Sequence, residues 1–214
     1  MDRRPPFPAD FQLIVASQSP RRHSLLRDLG VPFTVVSSTA EEVLGGGPAP
    51  VLAERNALAK VRGAVLPVDI APGAFVLGTD TLVTAGGLVM GKPESAREAT
   101  QMLSHLSGRT HQVVSGVALQ RMSMGGDPAV TEEIRVASAL TDVTFVSLQQ
   151  GDIDAYLASG EWKGKAGAYA IQGLAGSYVS ELRGEYSNVV GLPLCLLARM
   201  FREAGFDLVR RVWS

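Results

Sequence analysis

The sequence SQSPRR at residues 17–22 places Arg21 and Arg22 at the start of a predicted helix. Ser19 stands where an N-cap belongs and Pro20 where the first helical residue belongs, so the free backbone N–H groups face the end of the preceding strand. Arginines are unfavourable beside the positive end of a helix dipole. A phosphate bound by the amides and a guanidinium explains this placement. Two solvated surface arginines explain it equally well.

Asp80 lies between two apolar, β-prone runs within the sequence FVLGTDTLV at residues 75–83. An unpaired carboxylate is costly to bury there, so we expect Asp80 at a strand end with a partner. That partner can be a metal, a lysine or a reacting water. Aspartates are also common in hairpin turns, and a purely structural turn at residues 78–81 is the alternative interpretation.

Two lysines and one glutamine are further candidates for ligand contacts. Lys92 follows a short predicted strand, where a turn can aim it inward, and Lys60 lies among apolar residues of a predicted helix. Each of them can equally be a solvated surface lysine. Residues 164–177 are rich in glycine and small side chains, which lets backbone approach a ligand, although a merely flexible loop has the same composition. Gln172 in this segment offers a donor and an acceptor, which complement the edge of a pyrimidine.

The composition restricts the class of function. The chain has 214 residues with 20 basic and 21 acidic side chains, so its net charge of −1 gives no general attraction for nucleic acid. The one cysteine, Cys195, indicates a reducing compartment, which we take to be the cytoplasm, and we expect this thiol to lie in the core. No run of about 18 apolar residues predicts a membrane span. The three histidines have no metal-ligand spacing, which disfavours zinc.

Strands and helices must alternate to position these residues. Periodicity and turn residues predict strands at 11–16, 33–36, 75–77, 82–83, 88–90, 113–119, 137–148 and 206–212, with a turn at 125–128. They predict helices from Pro20 to Gly30 and at 51–66, 94–106, 153–160 and 189–204. This order predicts an α/β fold with a mixed, twisted sheet flanked by helices. The proline-rich residues 1–10 predict a flexible leader, followed by a single domain over residues 11–214.

Taken in this order, the motifs resemble the Maf family, named for inhibition of septum formation and regarded as nucleoside triphosphate pyrophosphatases. The similar segments are LIVASQSPRR at 13–22, VLGTDT at 76–81, GKP at 91–93, LSGRTH at 106–111 and SNVVGLPL at 187–194. The segment KAGAYAIQG at 165–173 resembles the branch that prefers dTTP and UTP, rather than 7-methyl-GTP. Thr79 stands where alanine is usual in the family.

The resemblance implies a fold similar to the inosine triphosphatases, with two lobes around a cleft, a divalent metal cation (Mg²⁺ or Mn²⁺), a cytoplasmic location and a homodimer. It makes Asp80 the proton acceptor. The chemistry of the residues leaves two roles open for Asp80, which can orient or deprotonate the water or hold the metal that does so. Glu42 is either a second ligand for a hard cation or part of a solvated loop. The resemblance also implies that Arg21, Thr81 and Gln172 shape the choice of substrate and that Lys60 and Lys92 contact the triphosphate. The candidate substrate-binding residues are Ser17, Arg21, Arg22, Lys60, Thr81, Lys92 and Gln172.

We therefore expect an enzyme that splits dTTP and UTP, or other or modified nucleotides, into the nucleoside monophosphate and diphosphate. Water would attack the α-phosphorus, with positioning and charge neutralisation supplying most of the rate enhancement. The expected partners are the nucleotide and a second copy of the chain, with no nucleic acid or membrane. Two alternatives use the same pocket. One is a non-catalytic nucleotide-binding regulator of cell division, and the other is a pyrophosphatase for 7-methyl-GTP or modified nucleotides.

Overall fold

Strands and helices alternate along the chain in the computed structural model, which describes residues 5–123 and 133–214. The strands are β1 (Leu13–Val15), β2 (Thr34–Val35), β3 (Phe75–Ala85), β4 (Leu88–Met90), β5 (Thr110–Arg121), β6 (Glu133–Phe145), β7 (Val179–Arg183), β8 (Phe206–Asp207) and β9 (Val212–Trp213). The helices are α1 (Pro20–Asp28), α2 (Ala49–Arg62), α3 (Ala96–Leu106), α4 (Gln150–Ser159), α5 (Tyr186–Val190) and α6 (Leu194–Glu203), with 3₁₀ helices at Ala166–Ala168 and Leu174–Tyr178. The predicted turn at 125–128 lies outside the described residues.

The central sheet has seven strands in the order β2-β1-β3-β5-β6-β7, with β4 also paired to β3. β1 runs parallel to β2 and β3, and the other pairs are antiparallel. Alternate residues of β3 face different helices, because successive strand side chains point to opposite faces. Phe75 packs with Phe201 of α6, whereas Val76 packs with Ala57 and Val61 of α2. The predicted α/β class, with a mixed sheet flanked by helices, is confirmed.

Two glycines allow α2 to lie directly on the sheet. A Cβ atom on Gly78 would stand 2.4 Å from the Ala57 carbonyl oxygen, and one on Gly116 would stand 2.1 Å from the Ala53 carbonyl oxygen. Real Cβ atoms do not approach backbone so closely, so any larger residue would push α2 away from β3 and β5. The side chains that α2 projects over the middle of β3 therefore depend on these two positions.

Two predicted elements and the predicted burial of Cys195 differ from the structure. The predicted helix over 189–204 is interrupted between α5 and α6, where Gly191 has a φ of +121° and Pro193 has no N–H to continue the helix. The predicted closing strand over 206–212 is instead a pair of two-residue strands, β8 and β9. Cys195 is exposed rather than buried. α6 begins at Leu194, and the face that it buries starts at Leu196 and Leu197.

The described part of the predicted leader contacts the core. The Phe7 ring lies 4.7 Å from the Phe11 ring, measured between centroids, and the Arg211 guanidinium lies 4.6 Å from the Phe7 centroid. Arg211 also donates a 2.6 Å hydrogen bond to the carbonyl oxygen of Pro5. Residues 1–4 lie outside the described residues, and the division into a leader and one domain stays a prediction. Within the described ranges, no helix is both long and apolar enough to cross a membrane.

Replacing Gly116 with alanine tests the close contact between α2 and the sheet. We expect Gly116→Ala to lower the free energy of unfolding by ~1–3 kcal/mol, because backbone must move to accept the methyl group. Gly151→Ala is the matched control, since a Cβ there would have nothing within 4 Å, and alanine in a helix raises stability by up to ~1 kcal/mol. Urea unfolding of both variants measures the difference. Equal stabilities would contradict this account of the α2 contact.

Candidate active site

A cleft of about 540 Å³ opens where one edge of β3 has no neighbouring strand. β1 pairs with Phe75–Leu77 and β4 pairs with Val83–Ala85, so among the described strands neither covers residues 78–82. Asp80 and Thr81 both line the cleft at this gap. The expectation that Asp80 lies in a turn or at a strand end is wrong, because β3 continues through it and pairs it with Gly116 of β5.

The structure brings every candidate residue from the sequence to this cleft. They come from the end of β1, from α1, from the loop before α2, from α2 and β3, and from the segments after β4 and α4. The residues in question are Ser17, Arg21, Arg22, Glu42, Lys60, Asp80, Thr81, Lys92 and Gln172. Their roles remain to be assigned from their contacts.

The Asp80 carboxylate is buried and hydrogen-bonded on both oxygens by residues of α2. Asp80 as a whole residue is 3% exposed. Lys60 Nζ lies 2.6 Å from Oδ1, and Asn56 Nδ2 donates to Oδ2 at 2.8 Å. Asn56 is itself fixed, because its amide both donates to and accepts from the backbone of Val43. The predicted lysine partner is therefore present, and the buried charge is compensated where it lies.

Lys60 also connects Asp80 to a second carboxylate at the mouth of the cleft. Its Nζ lies 2.9 Å from Glu42 Oε1, and Lys92 Nζ lies 2.6 and 2.7 Å from the two oxygens of Glu42. Burial raises the pKa of Glu42, but the charges and hydrogen bonds of Lys60 and Lys92 outweigh it and lower that pKa to about 2. Acidic and basic groups thus alternate along the cleft, and both lysines are already aimed into it.

Arg22 is held by three hydrogen bonds at the start of α1. Its Nε donates to the Gly191 carbonyl oxygen at 2.7 Å, and its two terminal nitrogens donate to Ser17 Oγ and Thr81 Oγ1, each at 3.0 Å. Burial lowers the pKa of Arg22, although the Asp80 charge raises it, and a guanidinium stays protonated in either case. Three of its five donors are used, so two remain for a ligand.

The first turn of α1 has no side-chain cap, as an anion site requires. Ser19 stands at the predicted N-cap position and Pro20 at the first helical position, but the Ser19 side chain accepts no hydrogen bond from the helix. Ser17 Oγ instead accepts from the Ser19 N–H at 3.3 Å. Arg21 donates to the Val190 carbonyl oxygen at 3.4 Å and lines the cleft beside this turn. The amides and cationic groups of this end fit an anion.

One wall of the cleft is apolar, although Lys163 and Lys165, from the segment that carries Tyr169, also line the cleft. Val83, Val113 and Tyr169 belong to one hydrophobic cluster and also line the cleft, together with the exposed side chain of Gln172. The Tyr169 hydroxyl lies 2.8 Å from Nε2 of the buried His111, which fixes the ring as a wall. Apolar walls beside a polar amide suit a planar base.

The carboxylates of Glu42 and Asp80 are the ligands that this cleft offers to a divalent cation. Both contact Lys60 Nζ, so the two carboxylates lie close together with that ammonium between them. Mg²⁺ is commonly held by one or two carboxylates together with waters and substrate phosphates, and Mn²⁺ also prefers oxygen ligands. Within residues 5–123 and 133–214, no group of three or more His, Cys, Asp or Glu side chains is placed to hold a metal. The residues therefore fit a cation that the substrate helps to bind.

Asn56 and Ser115 belong to the site but were missed in the sequence. Asn56 precedes Lys60 by one helical turn, and this i, i+4 spacing is the signal that places both on the face toward Asp80. Ser115 lies opposite Thr81 in the register of β5 with β3, and its hydroxyl contacts that of Thr81 at 2.9 Å. Nothing in the local sequence distinguishes Ser115, because the pairing of two distant strands decides its neighbour.

Known proteins are similar to this chain over most of its length. A model of the Maf-like protein family matches residues 12–204. A dTTP/UTP pyrophosphatase of Symbiobacterium thermophilum is 46% identical over 199 residues, which cover 92% of this chain and 96% of the relative. A protein of the same name from Moorella thermoacetica is 43% identical over 202 residues, covering 94% and 99%. A solved HAM1 protein from Coxiella burnetii has a TM-score of 0.40, 22% identity, and coverage of 63% and 73%, a likeness too weak to carry an argument.

The burial of His111 predicts a loss of stability in acid. Burial lowers the pKa of His111 to about 4, below its ordinary 6.5, so the unfolded chain binds a proton that the folded chain refuses between these values. Stability should therefore fall as pH decreases from 6.5 to 4, by up to ~3 kcal/mol from this group. Urea unfolding over this range should give a shallower pH dependence for His111→Gln than for the wild type. Parallel curves would show that His111 does not cause the loss.

Proposed function

This chain belongs to the Maf family, and on that premise we propose that it hydrolyses dTTP and UTP to the nucleoside monophosphate and diphosphate. Curated relatives that are 43–46% identical over nearly the whole chain carry the name dTTP/UTP pyrophosphatase. The observation that carries the proposal is the buried Asp80 carboxylate, held 2.6 Å from Lys60 in a cleft that is lined both by cationic groups and by apolar side chains.

The cationic groups of the cleft support binding of the triphosphate. Lys60, Lys92 and Arg21 line the cleft, and two N–H groups of Arg22 are unused. Phosphate oxygens accept hydrogen bonds from lysine and arginine, and these charged contacts are stronger than neutral ones. Glu42 keeps both lysines in place before substrate binds, which reduces the reorganisation that charge neutralisation requires.

The position of Asp80 supports its role as general base. Lys60 and Asn56 each take one lone pair, on different oxygens, so both oxygens keep acceptor capacity toward the cleft. A water oriented there can give its proton to Asp80 while its oxygen bonds to the α-phosphorus and the bond to the β-phosphate oxygen breaks, releasing diphosphate. Lys60 and Lys92 offset the charge of the departing diphosphate. A divalent cation held by Glu42 and Asp80 would add charge neutralisation and acidify bound water.

The apolar wall of the cleft supports a pyrimidine nucleoside as the other part of the ligand. Tyr169 and Val113 form walls that fit a ring, and Gln172 supplies an amide that can pair with its edge. The proposal also places the protein in the cytoplasm, makes Mg²⁺ or Mn²⁺ its preferred cation and makes it a homodimer. These three features are supported by the family resemblance and, for the compartment, by the presence of a single cysteine in the chain.

Incubation of the protein with Mg²⁺ or Mn²⁺ and a panel of triphosphates tests this function. Released diphosphate is measured for dTTP, UTP, CTP, GTP and 7-methyl-GTP. We expect dTTP and UTP to be consumed fastest. Binding without diphosphate release would support a non-catalytic regulator instead. Fastest consumption of 7-methyl-GTP would support the alternative of a pyrophosphatase for 7-methyl-GTP or modified nucleotides.

Replacing Asp80 with asparagine tests the catalytic assignment. Asp80→Asn keeps the size of the side chain but removes the base, so we expect kcat for dTTP to fall by ~10²–10⁴-fold. Asp69→Asn is the matched control, because Asp69 is exposed in a loop away from the cleft. Circular dichroism of both variants checks the fold. Near-normal turnover by a folded Asp80→Asn variant would remove Asp80 from the mechanism.

A further inference from the structure

A chain of hydroxyl hydrogen bonds runs from the cleft into the core. Arg22 donates to Thr81 Oγ1 at 3.0 Å, Thr81 Oγ1 lies 2.9 Å from Ser115 Oγ, and Ser115 Oγ lies 3.1 Å from the Asn188 carbonyl oxygen. Thr81 lines the cleft, whereas Ser115 is 0% exposed and lies behind it. The chain therefore connects a ligand-facing hydroxyl to a buried carbonyl group.

The direction of this chain follows from counting protons. Ser115 has one hydroxyl proton, and its two neighbours are the Asn188 carbonyl, which can only accept, and the Thr81 hydroxyl. Both contacts are hydrogen bonds only if Ser115 donates to Asn188 and accepts from Thr81. If Ser115 instead donated to Thr81, no proton would lie between Ser115 and the Asn188 carbonyl oxygen. A hydrogen bond would then be lost in a fully buried place, which is costly. The proton of Thr81 is therefore directed to Ser115.

Thr81 then presents only an acceptor to the cleft. Its proton is directed to Ser115 and one lone pair receives the Arg22 N–H, which leaves the second lone pair for a ligand. Ionised phosphate oxygens are also acceptors, so they do not pair with this hydroxyl. Its partner must be an N–H or O–H group, and in a nucleoside triphosphate such donors belong to the base and the sugar.

Thr81 lies next to the apolar wall of the cleft. Successive side chains of a strand alternate between faces, so Thr81 shares its face with Val83 and lies opposite to Asp80. Val83 packs with Val113 and Tyr169, which form the apolar walls. Thr81 thus stands between these walls and Arg22.

We propose that Ser115 is a positioning residue that holds Thr81 as an acceptor and so selects uracil and thymine over cytosine. The imide N3–H of uracil and thymine donates to an acceptor, whereas N3 of cytosine is itself an acceptor and meets the Thr81 lone pair unfavourably. Gln172 alone does not make this distinction, because its amide can turn over and pair with either edge. The inference rests on the proposed function and says how that site recognises its base.

The ratio of kcat/KM for UTP to that for CTP tests the inference. Ser115→Ala removes the acceptor for the Thr81 proton, so the hydroxyl can turn and donate to cytosine N3, and we expect the ratio to fall by about tenfold or more. Thr81→Val removes the hydroxyl and should lower the ratio similarly, whereas Thr81→Ser should retain it. Ser138→Ala is the matched control, because Ser138 lies on the neighbouring strand β6, outside the cleft lining, and its hydroxyl binds Glu54 of α2. Its ratio should equal that of the wild type.

Binding measurements separate this inference from the proposed function. Calorimetry with the α,β-imido analogues of UTP and CTP gives the same ratio as dissociation constants, without hydrolysis. If the wild type binds the UTP analogue more tightly and Ser115→Ala loses that preference, the inference stands even where no diphosphate is released. An unchanged ratio in folded Ser115→Ala and Thr81→Val overturns it. An equal loss for both bases that disappears with 3′-deoxy substrates also overturns it, since the sugar hydroxyl would then be the donor.

Discussion

The ion pair between Asp80 and Lys60 is the interaction on which the rest of the site depends. A carboxylate in the middle of a strand is stable only when a cation and hydrogen-bond donors reach it. Lys60 and Asn56 reach it from α2 because Gly78 and Gly116 have no side chains to hold the helix away. The same lysine contacts Glu42, so the geometry of one buried pair extends to the mouth of the cleft.

The second constraint is the short length of the strands beside β3. β1 is three residues long and β4 pairs only with the last three residues of β3, so the edge of β3 between them stays open. A short connection then leads from β1 into α1. This connection brings the helix start, Ser17 and Arg22 to the same opening that exposes Asp80 and Thr81. Asp80 and Thr81 lie on opposite faces of β3. Under the proposed function, Asp80 acts at the phosphates and Thr81 at the nucleoside.

Much of this arrangement could be predicted from the sequence. The motifs predict the candidate residues, and their order of strands and helices predicts the α/β class, because apolar periodicity reports local structure directly. The position of Asp80 could not be predicted, since Gly78 signals a turn in local sequence and a helix contact in the fold. Ser115 was missed for a related reason, since its partners come from β3 and α5. The exposure of Cys195 depends on where α6 begins, which Gly191 and Pro193 decide.

A crystal structure with the α,β-imido analogue of dUTP and Mg²⁺ tests the central claim most directly. The account predicts that the triphosphate contacts Lys60, Lys92 and Arg21, and that the α-phosphorus lies within one water molecule of the Asp80 carboxylate. The base is predicted between Tyr169 and Gln172. A triphosphate bound away from these cations, or an α-phosphorus beyond the reach of a water on Asp80, would contradict it.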